Sequence, residues 1–142
     1  MLVPFKREHI LNLHVREPEA SDMSCEGMAA SLEWLERTGN GKTLFAPDNK
    51  TVLGVLGVVP MTPGVCEVFV IPSKEQAKYA KLFASEVKKE LWAMRPKFRR
   101  IQAVARPDQF YSRWLSWLGF HPEGVLRKYG IDGRDMLMWS IV

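Results

Sequence analysis

The sequence predicts a mixed α/β fold: an α+β sheet, mostly antiparallel, with one parallel β-α-β pair and helices on both faces. Three observations carry that expectation. Residues 65–105 run as an apolar strand, a long amphipathic stripe and a second strand. That is a crossover unit, whose two strands pair in parallel through a right-handed connection. Residues 42–59 place two apolar runs around "PDNK", a type I turn sequence, and so form an antiparallel hairpin. The tail, "GVLRKYGI" and "DMLMWSIV" around Asp132-Gly133, reads as a second hairpin. The 142 residues suffice for one domain with a core of its own, so a single domain over 1–142 is expected.

Each element follows from local pattern. Residues 2–6 and 9–13 carry short apolar patches, one of which is the first strand. Residues 19–37 read as helical: Met28, Leu32 and Leu35 share a face, and Gly39 sits past the end as a stop. The second hairpin arm, "TVLGVLGVV", is rich enough in Val and Leu to be buried on both faces. Gly54 and Gly57 within it mark a bulge or a close approach of backbone. "PMTPG" at 60–64 turns the chain into the strand "VCEVFVI" at 65–71. The longest helix follows, with Tyr79, Phe83, Val87 and Leu91 at i, i+4 spacing, Met94 continuing the stripe, and Lys81, Lys88 and Lys89 on other faces. Ser73 and Gln76 fit the N-cap and N3 positions of a capping box, and Pro96 closes the helix. "RRIQAVA" at 99–105 is a strand. Asp108 and Gly119 read as the caps of a last helix whose stripe is Phe110, Trp114 and Leu118.

Composition narrows the function classes. Apolar residues are 46% and charged residues 25%, ordinary for a soluble globular chain. No apolar run approaches the roughly 18–20 residues that cross a bilayer, and "MLVPFKREHI" has no signal-peptide core. A cytoplasmic protein with no membrane partner is expected. Cys25 and Cys66 form neither a disulfide framework nor a zinc motif, and Cys66 reads as a small core residue. The net charge of +4 is scattered, without the basic face and interleaved aromatics of a nucleic-acid binder. Its one knot, Arg95-Pro96-Lys97-Phe98-Arg99-Arg100, reads as a solvated loop able to lie beside an anion. His9, His14 and His121 lack metal-ligand spacing. "GKT" at 41–43 is no phosphate loop, because Glu36 stands where the first glycine belongs and a strand follows.

The element order resembles the GNAT superfamily of N-acetyltransferases. "VFVIPS" before a long helix is similar to that family's fourth strand and cofactor-binding helix, and "LGF" at 118–120 to its later Gly-Phe signature. "RKYGIDGRDMLMWSIV", with "VVPMTPGVCEVFVI", further resembles small GNAT-like proteins encoded by tailed phages and prophages.

The resemblance implies acetyl-CoA as co-substrate and a primary amine, on a small molecule or a protein, as acceptor. It implies that Val68, Phe69, Val70 and Ile71 pair with the pantetheine arm. The pyrophosphate would sit on the helix start, Ser73, Lys74, Gln76, Ala77, Lys78, Tyr79 and Ala80, where unpaired N–H groups and the dipole favour anions. The family's glycine slots hold Tyr79 and Lys81 in one register, or Lys78 and Ala80 in the other. A capping box through Ser73 would also use donors that a phosphate needs. The resemblance makes Glu67 the general base. A carboxylate between apolar neighbours, sharing a strand face with Phe69 and Ile71, suits that task. The family's acid, a tyrosine four residues before the glycine of Gly-Phe, is replaced by Leu115. Tyr111, one turn earlier, is the substitute acid, and Asp108 matches a frequent family asparagine. A second class of reading is a catalytically inactive GNAT-like phage protein that binds a virion or host protein.

Overall fold

The structure, a computed structural model, describes residues 2–10 and 28–142. The expectations at 11–13 and 19–27, with His14, Cys25 and the side chain of Met28, lie outside the described residues. The elements are β1 (Leu2–Pro4), α1 (Met28–Thr38), β2 (Gly41–Phe45), β3 (Val52–Thr62), β4 (Val65–Pro72), α2 (Ala80–Met94), β5 (Arg100–Ala105), α3 (Gln109–Leu118), β6 (His121–Leu126) and β7 (Met136–Ile141). Short 3₁₀ segments occupy Arg7–Ile10, Lys74–Tyr79 and Arg95–Lys97. The strands form one seven-stranded sheet in the order β1-β2-β3-β4-β5-β7-β6. β4 and β5 are parallel, as the crossover requires, while β1-β2, β2-β3, β5-β7 and β6-β7 are antiparallel. The chain divides into two compact units, Met1–Val58 with Val70–Val87, and Val59–Phe69 with Lys88–Val142.

In the first unit the hairpin turn is set by one side chain. The Asp48 carboxylate accepts from Lys50 N at 2.8 Å, Thr51 N at 2.9 Å and Thr51 Oγ1 at 2.7 Å. These donors hold its carboxyl down at about 2. Asn49 takes the left-handed conformation at φ 58°, which Asn tolerates better than most residues. Leu53, Val55 and Leu56 in β3 are buried together with Leu35, Leu44, Phe83 and Val87. Gly54 marks the expected close approach: a Cβ there would stand 2.7 Å from the Phe83 ring and 2.9 Å from the Ile71 carbonyl oxygen. Gly41-Lys42-Thr43 lies in β2, where the buried Thr43 hydroxyl meets His9 Nδ1 at 2.8 Å.

In the second unit, β5 alternates: Ile101, Ala103 and Ala105 are buried, while Arg100, Gln102 and Val104 are half-buried. Asp108 caps α3 by accepting from Tyr111 N at 2.9 Å. Gly119 ends the helix at φ 108°, its N–H reaching Ser116 O while Phe120 N–H reaches Leu115 O. The expected stripe of α3 is corrected. Leu115 and Leu118 are its buried residues and Phe110 is 56% exposed. Apolar residues at 110, 111, 114, 115, 117 and 118 fill two faces, so periodicity alone cannot choose the inner one. The terminal hairpin is also longer than a tight turn. Its first arm begins at His121, and residues 127–135 form a loop closed by Gly130 N–Arg134 O and Lys128 N–Asp135 Oδ1 bonds.

In the basic knot Lys97 and Arg99 are exposed, as a solvated loop expects, while its arginines also make intramolecular bonds. Arg95 donates to Phe98 O, Arg99 donates to Pro63 O across the β3–β4 turn, and Arg100 pairs with Glu123. Cys66 is fully buried, as expected, and burial pushes its thiol up to about 11. No helix among the described residues is long and apolar enough to cross a membrane.

Candidate functional site

The register between β4 and β5 covers Val65↔Arg100, Cys66↔Ile101 and Glu67↔Gln102 only. Within the second unit, Val68 and Phe69 of β4 follow the last registered pair, and among the described residues they have no registered partner in β5. Cys66 and Val68 are buried and Glu67 and Phe69 half-buried, as strict alternation expects. The alternation then breaks: Val70 is half-buried, and Ile71 and Pro72 are buried. Ile71 therefore does not continue the half-buried row of Glu67 and Phe69.

At the strand-to-helix joint the expected capping box is absent. Ser73 has extended φ/ψ of −84° and 164°, but its side chain makes no cap bond. Its main chain is fixed at both ends, with Ser73 N donating to Leu53 O at 3.0 Å and Ser73 O accepting from Gln76 N at 3.2 Å. The hydroxyl is buried and has no partner among the described residues. Residues Lys74–Tyr79 then form a 3₁₀ segment, and the α-helix starts only at Ala80. Six residues is long for 3₁₀ geometry, whose bonds are poorer than those of an α-helix. Gln76 is buried, Tyr79 half-buried, and Lys74, Ala77, Lys78 and Ala80 exposed. Lys78 Nζ stands 3.0 Å from Glu75 Oε2, and that contact raises the lysine's pKa.

Glu67 is not isolated among apolar side chains. Its Oε1 accepts from Gln102 Nε2 at 3.0 Å. Gln102 Oε1 in turn accepts from Arg100 Nε at 2.9 Å. Arg100 then grips Glu123 with two bonds, 2.8 Å to Oε2 and 2.6 Å to Oε1. The buried Ser140 hydroxyl donates to Glu123 Oε2 at 2.6 Å. Arg100 and Ser140 hold the Glu123 carboxyl down at about 2. Sequence reasoning missed this chain. Its only sequence signal is the i, i+2 placement of Arg100 and Gln102 on one face of "RRIQAVA". The partners Glu123 and Ser140 depend on strand register, which local pattern does not encode.

Tyr111 and Asp108 sit together at the start of α3. Asp108 is exposed and spent on the cap, and Tyr111 is half-buried with Phe110 edge-on at 5.4 Å. Leu115, in the slot of the family's tyrosine, is buried. An open cleft of about 370 Å³ adjoins the cap, lined by Arg106, Pro107, Asp108, Arg134 and Asp135. Arg134 is already paired with Asp132 at 2.6 Å.

No protein-family profile matches the sequence, and no curated protein matches it. Solved structures do match the fold. Ard1 from Thermoplasma volcanium superposes with a TM-score of 0.80 at 12% identity, over 99% of this chain and 95% of that one. A GNAT-family acetyltransferase from Bacillus anthracis gives 0.74 at 12% identity, over 99% and 93%. A ribosomal-protein-alanine N-acetyltransferase from Brucella melitensis gives 0.70 at 15%, over 100% and 99%. With the parallel β4–β5 pair in an otherwise antiparallel sheet, these matches establish that the chain has the fold of the GNAT acetyltransferases.

Proposed function

We propose that the protein is an acetyl-CoA-dependent N-acyltransferase acting on a primary amine of a small molecule or a protein. The observation that carries the reading is the end of the β4–β5 ladder at Glu67. Among the described residues it leaves Val68 and Phe69 without a registered partner in β5 and sets a carboxylate at the last paired position. In this reading the pantetheine arm pairs with Val68, Phe69, Val70 and Ile71. Its phosphates lie at Ser73, Lys74, Gln76, Ala77, Lys78, Tyr79 and Ala80.

The chemistry of the joint fits the group in one respect. A buried hydroxyl without a partner among the described residues is a donor able to meet an acceptor. Tyr79 and Lys81 stand in the glycine slots in one register, Lys78 and Ala80 in the other, and the charges of Lys74 and of Lys78, the latter paired with Glu75, offset part of the lost fit. Acetyl-CoA supplies the activated acyl group. Glu67, directly or through a water, takes the proton from the amine so that its lone pair can attack. Tyr111 lies on the same helix face as Leu115, one turn earlier, and is the candidate proton donor to the leaving thiolate. A thiolate leaves readily, so this donor matters less than the base.

Replacement of Glu67 tests the reading. Glu67→Gln is expected to lower kcat for acetyl transfer by roughly 10²–10⁴, the usual worth of a general base, with acetyl-CoA binding retained. CoA release assayed over an amine panel, with binding followed separately, checks this. Equal turnover by Glu67→Gln and the parent protein would remove the base assignment.

The burial of Leu115, where the family acid belongs, favours a second reading. In it the protein is an inactive GNAT-shaped module that binds a virion or host protein in the cytoplasm of a bacterial host. Co-purification of such a partner, unaffected by Glu67→Gln, would favour that reading.

A further inference from the structure

We propose that Gln102 is a positioning residue for Glu67, locked in one orientation by the Arg100–Glu123 pair. The proposal rests on the acyltransferase reading for its consequence, but the lock itself is independent of turnover. A glutamine amide has two ends of similar size and opposite hydrogen-bonding sense, and its neighbours decide which way it points. Here they decide it without ambiguity. Arginine only donates, so Arg100 Nε must face the Gln102 oxygen, at 2.9 Å. The Gln102 NH₂ must then face Glu67, whose Oε1 accepts at 3.0 Å. The amide end that meets the carboxylate is therefore its donor, and the contact fixes the direction of Oε1. Glu67 Oε1 is thereby occupied, and among the described residues Oε2 takes no hydrogen bond, leaving it for the incoming amine or a water.

The sheet is shaped to hold this lock. Glu67, Gln102, Ser140 and His121 are directly opposite one another across β4, β5, β7 and β6. Side chains at such positions share one face of the sheet. In β6 the register slips by one residue, so that Pro122 pairs with Trp139 and Gly124 with Met138. Glu123 is the extra residue of this bulge. A bulge re-aims the side chain it carries, and this one sends the Glu123 carboxylate to both Arg100 and Ser140. Two parallel bonds from a guanidinium fix direction as well as distance, so Arg100 cannot turn its Nε from Gln102 without breaking that grip. Orientation thus passes from the bulge, through Arg100 and Gln102, to the oxygen of Glu67.

Two readouts on the full chain test it. The first needs no activity: the side-chain NH₂ signals of Gln102 in a ¹⁵N spectrum, identified by their loss in Gln102→Leu. They are expected to move both in Glu67→Gln, which changes the acceptor, and in Glu123→Gln, which breaks the bidentate grip. Signals that ignore both substitutions would overturn the proposal.

The second is kinetic. Gln102→Leu is expected to lower kcat by roughly tenfold with the KM for acetyl-CoA unchanged. In a Glu67→Gln background the same change is expected to have almost no further effect, because residues that act through one another are not additive. A full additive loss would assign Gln102 a merely structural role and overturn the proposal. If the parent protein transfers no acetyl group, the acyltransferase reading falls, and the amide signals alone decide the lock.

Discussion

A buried hydroxyl without a partner is rare, and among the described residues Ser73 has one. Desolvating such a group without compensation costs about 1–3 kcal/mol, whereas losing a working serine N-cap costs about 1 kcal/mol. The two situations predict opposite outcomes for Ser73→Ala. Because the side chain makes no cap bond, the substitution is expected to leave thermal stability unchanged or raise it. A drop of about 1 kcal/mol would mean that the hydroxyl caps the segment after all. If the hydroxyl serves an anion, the same variant is expected to bind acetyl-CoA more weakly while remaining at least as stable. The capping box was a fair expectation from Ser73 and Gln76, since the spacing is right. What spacing could not show is that residues 74–79 adopt 3₁₀ geometry, in which Gln76 N–H donates to the Ser73 carbonyl oxygen and not to its hydroxyl. Glu67, by contrast, was legible as a charged residue in an apolar strand. Its attachment to Gln102 was not, because that contact joins residues 35 apart in sequence.

The β2–β3 hairpin and the two caps of α3 follow directly from local chemistry, and the structure agrees with them. "PDNK" supplied a turn, and Asp48 closes it with three hydrogen bonds. Its carboxyl titrates at about 2 instead of 3.8, so the sign of its pH dependence is fixed. A group with a depressed folded pKa adds stability above its unfolded value and loses it as pH falls through the folded one. Asp48→Asn is expected to melt below the parent protein at pH 7. That gap should persist down to about 3.8 and close toward pH 2. Melting temperatures across that range check it, and a gap independent of pH would show that the turn does not depend on the charge. α3 teaches the complementary lesson. Asp108 and Gly119 marked its ends, but six apolar positions among ten left the buried face undetermined by local pattern, and the fold buries Leu115 and Leu118.

The order of elements over the described residues was readable because each strand and helix carries its own pattern, and the β-α-β segment fixed the parallel β4–β5 pair. The same order leads to the GNAT fold, shared with acetyltransferases at 12–15% identity. Identity that low carries the fold and not the chemistry, so the proposed activity is argued from the end of the β4–β5 register, the Ser73 hydroxyl and Glu67. Acetyl-CoA binding is the step that the proposed function requires before any transfer. Calorimetric titration of the full chain with acetyl-CoA tests it most directly. The account predicts saturable one-to-one heat at or below millimolar concentration, weakened in Ser73→Ala and retained in Glu67→Gln. The absence of any heat at millimolar acetyl-CoA or CoA would contradict it.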